Sequence, residues 1–454
     1  TMKQYFSNFR IFGITINSLI FYLIILLLPT QFGKHFWPDF SYILGLRIDY
    51  LSPTFYVTDI LIGLLFTSWL FSAIGRKLSG QKTIDLKLGI GKYWKLIFFL
   101  LFLAIGILLS KSPLAGVYGF VKLLEYLFLF FYITFEVKNF FIIVQLLSLG
   151  IIFEGLLAIL QYVNHGSIGS LLYFFGERSF NSQTPGIANA SLNGEMFLRP
   201  YGTFSHPNVL AGYLTIALAM VISNFQFQIS NFKKILFSFS IIIGTIGIIL
   251  TMSRVAIILW LIILSWYLLK KSRKFLGRAK FPIGLLVVLI FIGSIGIVIL
   301  LSPLRFRFLE INPSDQAFVV RKDLIVSSVL MFKDNFFFGV GINNFLVNLP
   351  YFQKPNISSL YEYLQPVHNI YFLILAQTGL VGFIYFLYFI AKTMKQTLKK
   401  GFSISNFQFS IFSAILILGL FDHYFLTLQQ GQLLLLLVIA YCWANSLSNR
   451  PLKY

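Results

Sequence analysis

In the stretch FLRPYGTFSHPNVLAGYL, residues 197–214, an arginine, a histidine, an asparagine and two prolines stand together before an apolar run. Arg199 brings a planar fork of donors suited to an oxyanion, and His206 brings a group that can move a proton near neutral pH. Asn208 and Tyr201 lie in the same stretch. Arg254 sits in TMSRVA, wedged between two apolar runs. A guanidinium that close to hydrocarbon is costly, so it either snorkels to an interface or is held to grip an anionic headgroup such as a phosphate.

Arg321 follows NPSDQAFVV. Pro313, Ser314 and Asp315 read as a helix start, with Ser314 the N-cap. Phe318, Arg321, Leu324, Ile325, Ser328 and Phe332 then share one helical face. The pattern predicts an amphipathic helix lying on the membrane, with Arg321 turned to its apolar side; a snorkelling interfacial arginine is the plainer alternative. GVG at 339–341 reads as a turn ending that helix. His368 and Asn369 open HNIYFLILAQTGLVG, where an imidazole can serve as general base or simply bond to backbone. Asp422, His423 and Tyr424 in FDHYFLTLQQGQ read as either a second site element or a polar turn.

These residues need elements to hold them, and composition decides the kind. The 454-residue chain is 57% hydrophobic and 11% charged, and its mean hydropathy is +0.82. Recurrent apolar runs near twenty residues long read as membrane-spanning helices, because lipid offers no partner to an open backbone. The expectation is an all-α integral membrane protein of about twelve spans: roughly 11–30, 55–75, 96–110, 117–135, 140–163, 206–224, 235–250, 254–269, 281–301, 368–391, 403–421 and 427–446. The first run is too long for a cleaved leader and no small-residue cleavage site follows it, and Met2 reads as the natural start.

The majority of the 36 Lys and Arg fall in connections that share one side if the N-terminus is cytoplasmic, as in RKLSGQKTIDLKLGIGKYWK and KKSRKFLGRAK. That asymmetry places both termini in the cytoplasm and leaves two long extracytoplasmic loops, 164–205 and 302–367. The net charge of +21 is thus an orientation signal with an affinity for anionic lipid, and nothing resembles a nucleic-acid-binding element. Remaining cations of the long loops are Arg178, Arg305, Arg307, Lys322, Lys333 and Lys354. Within the spans, Lys122 and Glu125 can pair across one turn, and Glu154 has no obvious local partner. No repeat or linker divides the chain, so residues 1–454 read as one membrane domain. The single cysteine, Cys442, excludes an internal disulfide and a cysteine metal cluster. There is no Asp-x-Asp, P-loop, Gly-x-Ser-x-Gly or His-Glu-x-x-His, so the chemistry to expect is metal-free and built on Arg and His.

RPYGTFSHPNVLAGYL, TMSRVAII, Arg321 ahead of FFFGVGINNF, and HNIYFLILAQTGLVG occur in that order, with GERSF and FDHYFLTLQQGQ beside them. Over residues 150–440 this resembles the O-antigen ligase and O-antigen polymerase superfamily. The resemblance implies a multispan glycosyltransferase of the GT-C-like class, with a bacterial inner-membrane location and an extracytoplasmic active site. It implies an undecaprenyl-diphosphate-linked oligosaccharide as donor, a glycan acceptor, no cofactor or metal, and a chain-length regulator protein as a further partner. Arg254 and Arg321 would hold the diphosphate, and His368 would be the catalytic base. Arg199, Tyr201, His206, Asn208 and Asn369 would line the substrate site. A polymerase of repeat units leads. A ligase that passes the chain to a lipid, wall or protein acceptor follows, and a lipid-linked-glycan flippase is the non-catalytic alternative.

Overall fold

The computed structural model describes residues 10–11, 14–78, 90–137, 139–192, 195–225, 230–276, 293, 316–352, 364–398 and 407–447. In chain order the helices are α1 (Ile16–Leu26), α2 (Val57–Leu78), α3 (Ile90–Leu108), α4 (Pro113–Glu136), α5 (Phe140–Asn164), α6 (Pro207–Ser223), α7 (Asn231–Leu250), α8 (Arg254–Leu276), α9 (Gln316–Asp334), α10 (Phe345–Phe352), α11 (Ile370–Leu398), α12 (Phe407–Leu418), α13 (Tyr424–Thr427) and α14 (Gln429–Leu447). Every expected span except 281–301 coincides with a helix; that run, apart from Gly293, lies outside the described residues. Among the described residues, five helices are long and apolar enough to cross a membrane, and five shorter apolar ones, α6 and α12 among them, accompany them. The architecture agrees with an all-α membrane protein.

The bundle is organised around α6. Its apolar residues are buried on every side, Val209 through Ile222, as expected of a helix with no solvent or lipid face. Glycines let its neighbours close in. At the α5–α7 crossing, a Cβ on Gly155 would meet the Ile243 backbone, and one on Gly247 would stand 3.3 Å from the Gly155 Cα. One core cluster joins α6 to α1, α5, α8, α12 and α14, and a second gathers α9, α10 and the start of α11.

Several connections between helices are tied to one another by hydrogen bonds. Thr203 Oγ1 and Gln430 Nε2 both donate to the Pro29 carbonyl at 2.7 Å, and Ser112 exchanges two hydrogen bonds with the Asn344 side chain. Short antiparallel pairs, which the sequence pattern did not disclose, flank the helices. The strands β1 (Arg10–Ile11) and β2 (Ile14–Thr15) pair near the N-terminus; β3 (Gly33–His35), β4 (Tyr42–Ile43), β5 (Leu46–Arg47) and β6 (Thr54–Tyr56) fold the first long connection, and β7 (Asn189–Leu192) and β8 (Glu195–Leu198) precede α6. Strands of two to four residues are too short for alternation to register in a sequence.

α11 is broken. Gly379 lies at φ 61°, and the carbonyls freed there, Ala376 and Gln377, accept N–H bonds from Val340 and Gly341 at 2.9 and 3.0 Å. The GVG segment is thus a turn, as expected, and it also completes the backbone of a helix that glycine interrupts.

Candidate functional site

The RPYGT turn, residues 199–203, is clamped by two polar side chains on one face of α5. Gln161 Oε1 accepts from the Tyr201 and Gly202 amides at 2.9 and 2.8 Å, and its Nε2 donates to Glu177. Glu154, fully buried, accepts from the Thr203 amide at 2.9 Å, and its other carboxyl oxygen lies 2.6 Å from the Thr203 hydroxyl. The partner missing from the local sequence around Glu154 is therefore supplied from 49 residues away. Glu177 of GERSF is buried as well and accepts from the Ile168 and Gly169 amides. An arginine loop in lipid surroundings is thereby fixed by satisfied polar bonds rather than by packing alone.

Held this way, Arg199 is 5% exposed. Its Nε donates to the Thr251 carbonyl at 2.7 Å and one terminal nitrogen donates to Asn208 Oδ1 at 2.7 Å. The first bond ties the loop to the TMSR turn, where Met252 is in the left-handed region at φ 53° and Arg254 begins α8. Asn208 continues the chain, with its Nδ2 3.5 Å from Asp422 Oδ2. His206 caps α6: its Nδ1 accepts from the Asn208 amide at 3.1 Å. Burial, with the Arg199 charge behind it, pushes the His206 imidazole down to about 3, so the ring is neutral at physiological pH.

The start of α11 is pinned against the end of α12. The Ile370 amide donates to the Gly419 carbonyl at 2.8 Å and Asn369 Nδ2 donates to the Leu420 carbonyl at 3.0 Å. This sets His368 Nδ1 3.5 Å from Asp422 Oδ1, with the His423 ring centroid 5.1 Å from that of His368. His423 Nε2 lies 4.0 Å from the same carboxylate oxygen. Tyr50, from the first long connection, packs edge-on against His423 at 5.5 Å. Burial pushes the Asp422 carboxyl up, but the neighbouring His368 and His423 outweigh it and hold the group below the ordinary carboxylate range. Burial pushes His423 down to about 3 against the attraction of Asp422, and His368 when it is protonated, together with the Arg321 charge, adds to the effect.

Of the residues singled out in the sequence, Arg199, His206, Asn208 and His368 converge here through Asp422. Arg321 on α9 is close enough for its charge to act on both His206 and His423. It does not face the apolar side of α9, as the helical-wheel pattern had suggested. The buried side carries Val320, Leu324, Ser327, Ser328 and Met331, while Arg321 and Phe318 are exposed. The wheel was misleading because α9 packs on α11 along a stripe one residue out of phase with it. Tyr201 and Asn369 are engaged structurally: the Tyr201 hydroxyl accepts from the Ala188 amide at 2.7 Å, and Asn369 Oδ1 caps α11 through Tyr371 and Phe372. Ser314, Arg305, Arg307 and Lys354 lie outside the described residues.

Sequence reasoning left Asp422 and His423 between site and turn, and it missed Gln161 and Glu177. The signal for Asp422, His423 and Glu177 was their grouping in FDH and GERSF, and Gln161, inside the apolar run of α5, carried none. A separate cavity of about 270 Å³ lies toward the far end of α9, lined by Lys111, Asp334, Asn335 and Asn348 among others. None of the residues assigned to the site lines it.

Residues 239–387 match the family model described as O-antigen ligase. The match spans less than half of the chain and takes in Arg254, Arg321 and His368, while Arg199 and Asp422 lie on either side of it. It supports the likeness to the O-antigen ligase and polymerase superfamily that the motifs carry. No curated protein matches the chain.

Proposed function

We propose that the protein is a membrane glycosyltransferase that joins oligosaccharide repeat units from an undecaprenyl-diphosphate-linked donor on the extracytoplasmic face of a bacterial inner membrane, with inversion and without a metal in the chemical step. The observation that carries the reading is the convergence of His368, Asp422 and the Arg199–Asn208 pair at one end of the bundle, with the Arg321 charge in reach.

In the step, an acceptor hydroxyl oxygen bonds to the anomeric carbon as the bond from that carbon to the diphosphate oxygen breaks. The hydroxyl proton passes to His368 Nδ1, and the lipid diphosphate leaves with the electron pair. Asp422, ionised and buried beside His368, stabilises the imidazolium as it forms. A positioned base of this kind contributes about 10²–10⁴-fold. Arg321 and Arg254 hold the diphosphate, whose charge grows in the transition state, so they lower the barrier more than they tighten ground-state binding. Arg199 is spent on Thr251 and Asn208, and its part is to fix the TMSR turn that begins α8 and the amide that faces Asp422.

A ligase reading keeps the same donor chemistry and differs only in the acceptor. A flippase needs charge along a path through the bundle, and α6 at its centre carries no charged residue. The test is purified wild type beside Arg321→Ala and His368→Ala, given a lipid-diphosphate-linked repeat unit, with glycan length read on a gel. A ladder in wild type that falls by about a hundredfold or more in each variant is the expected result. Donor consumed with no ladder indicates a ligase. Undiminished ladders in both variants remove these residues from the mechanism.

A further inference from the structure

The hydrogen-bond directions around Asp422 leave three acceptors facing one another. With its proton on Nδ1, His423 donates to Thr427 Oγ1 at 2.7 Å while that hydroxyl donates to the His423 carbonyl at 3.3 Å. In that tautomer Nε2 is a bare lone pair. His368 Nε2 lies 3.2 Å from Gln365 Oε1, an atom that only accepts, so Nε2 carries a proton, and in the neutral ring Nδ1 is bare. Nδ1 is buried and makes no hydrogen bond of its own. Both lone pairs and the Asp422 carboxylate come together: Nδ1 to Oδ1 is 3.5 Å, Nε2 to Oδ1 is 4.0 Å, and all three ligand atoms lie within 4.8 Å of one another. Acceptors set this close repel unless a cation lies between them.

The geometry points to a binding site for a borderline divalent transition-metal ion, Zn²⁺ or its neighbours, formed by His368 Nδ1, Asp422 Oδ1 and His423 Nε2. Ligand atoms about 2.0–2.2 Å from a tetrahedral zinc stand roughly 3.3–3.5 Å apart, so His368 and Asp422 are already at that spacing, while His423 has to draw in by about 0.5 Å toward Asp422 and by up to about 1.5 Å toward His368. Two imidazoles and one carboxylate are ligands that zinc favours, and the fourth position is open. Each imidazole already has the outer partner that orients metal-bound histidines: Thr427 for His423 and Gln365 for His368. The Arg321 charge acts against a cation here, so the site is suited to an ion that forms directional bonds with nitrogen rather than to Mg²⁺ or Ca²⁺. The metal-free chemistry expected from the sequence remains the reading of the catalytic step. On that reading the ion occupies the lone pair that His368 needs as a base, and it acts as an inhibitor.

The test uses tag-free, chelator-stripped full-length protein in detergent, titrated with Co²⁺ by absorbance and with Zn²⁺ by calorimetry. Expected are saturable one-to-one binding with the visible bands of tetrahedral Co²⁺, and at least a tenfold loss of affinity in His423→Ala. Thr427→Val, which keeps all three ligands, is expected to weaken binding about 10–100-fold, and it keeps the test decisive if His423→Ala does not fold. Non-saturable uptake, or affinity unchanged in either variant, overturns the site and assigns the cation between these acceptors to a proton on His368. Binding is read without activity, so it stands or falls separately from the glycosyltransferase reading. Inhibition of ladder formation by Zn²⁺, relieved by chelator, tests the regulatory consequence.

Discussion

The chemistry of single residues here depends on which of them stay neutral. Burial lowers His206 and His423 to about 3, whereas an unfolded histidine titrates near its ordinary value. The unfolded chain therefore binds two more protons than the folded one between roughly pH 6.5 and pH 3, and stability falls as pH drops through that window. The slope is about 1.4 kcal/mol per pH unit for each histidine. Asp422 works in the same direction at lower pH: its depressed carboxyl contributes stability above the ordinary carboxylate range and loses it as pH falls further. Melting temperature in detergent is expected to be level above pH 7 and to decline from pH 6.5 to 5. In His206→Asn, which keeps a capping acceptor, the decline is expected to be about half as steep. A melting temperature that does not change over this range would contradict the neutral, buried placement of both rings.

At the scale of elements, the break in α11 is a feature that glycine makes possible. Gly379 at φ 61° has no room for a side chain, since an added Cβ would stand 2.5 Å from the Phe337 carbonyl. Gly379→Ala is expected to cost about 2 kcal/mol or more from the left-handed backbone and the overlap together, read as lower yield and melting temperature. The start of α11 is a separate device. Asn369→Ala removes the cap over Tyr371 and Phe372 and the bond to Leu420, and its expected cost is about 1–2 kcal/mol. It is also expected to reduce activity, because the same bonds set His368 against Asp422. Normal activity with a lowered melting temperature would show that the cap stabilises the helix without aiming the histidine.

Across the whole molecule, a buried polar network ties α2, α4 and α14 together away from the site. Lys122 pairs with Asp59 at 2.6 Å and with Glu125 at 3.3 Å, and it donates to Gln429 Oε1 at 3.1 Å. Gln429 in turn donates to Thr58 and Asp59, and the Tyr126 hydroxyl lies 2.6 Å from Gln429 and 2.7 Å from Gln432. Removing the only cation among these partners strands two carboxylates, so Lys122→Met is expected to destabilise by about 3–5 kcal/mol. Lys122→Met combined with Asp59→Asn is expected to recover part of that loss, as measured by thermal unfolding in detergent. A double variant no better than the single would show that packing of the lysine stem, not its charge, holds the three helices.

Local pattern determined what local physics controls. Apolar runs gave the helices because a buried backbone must bond to itself, and Lys122 with Glu125 was legible because residues three apart share a helix face. The sites of Arg199, Arg254, His368 and the FDH turn at the ends of apolar runs were visible for the same reason. Contacts between distant segments were not. Asp59 reaches Lys122 from another helix, Thr203 reaches Glu154 across 49 residues, and Asp422 meets His368 only because Asn369 and Ile370 bond to the end of α12. Arg321 shows the limit most clearly. Its helix was legible from spacing, but the face it presents was decided by packing on α11, since periodicity records which residues align and not what they align against.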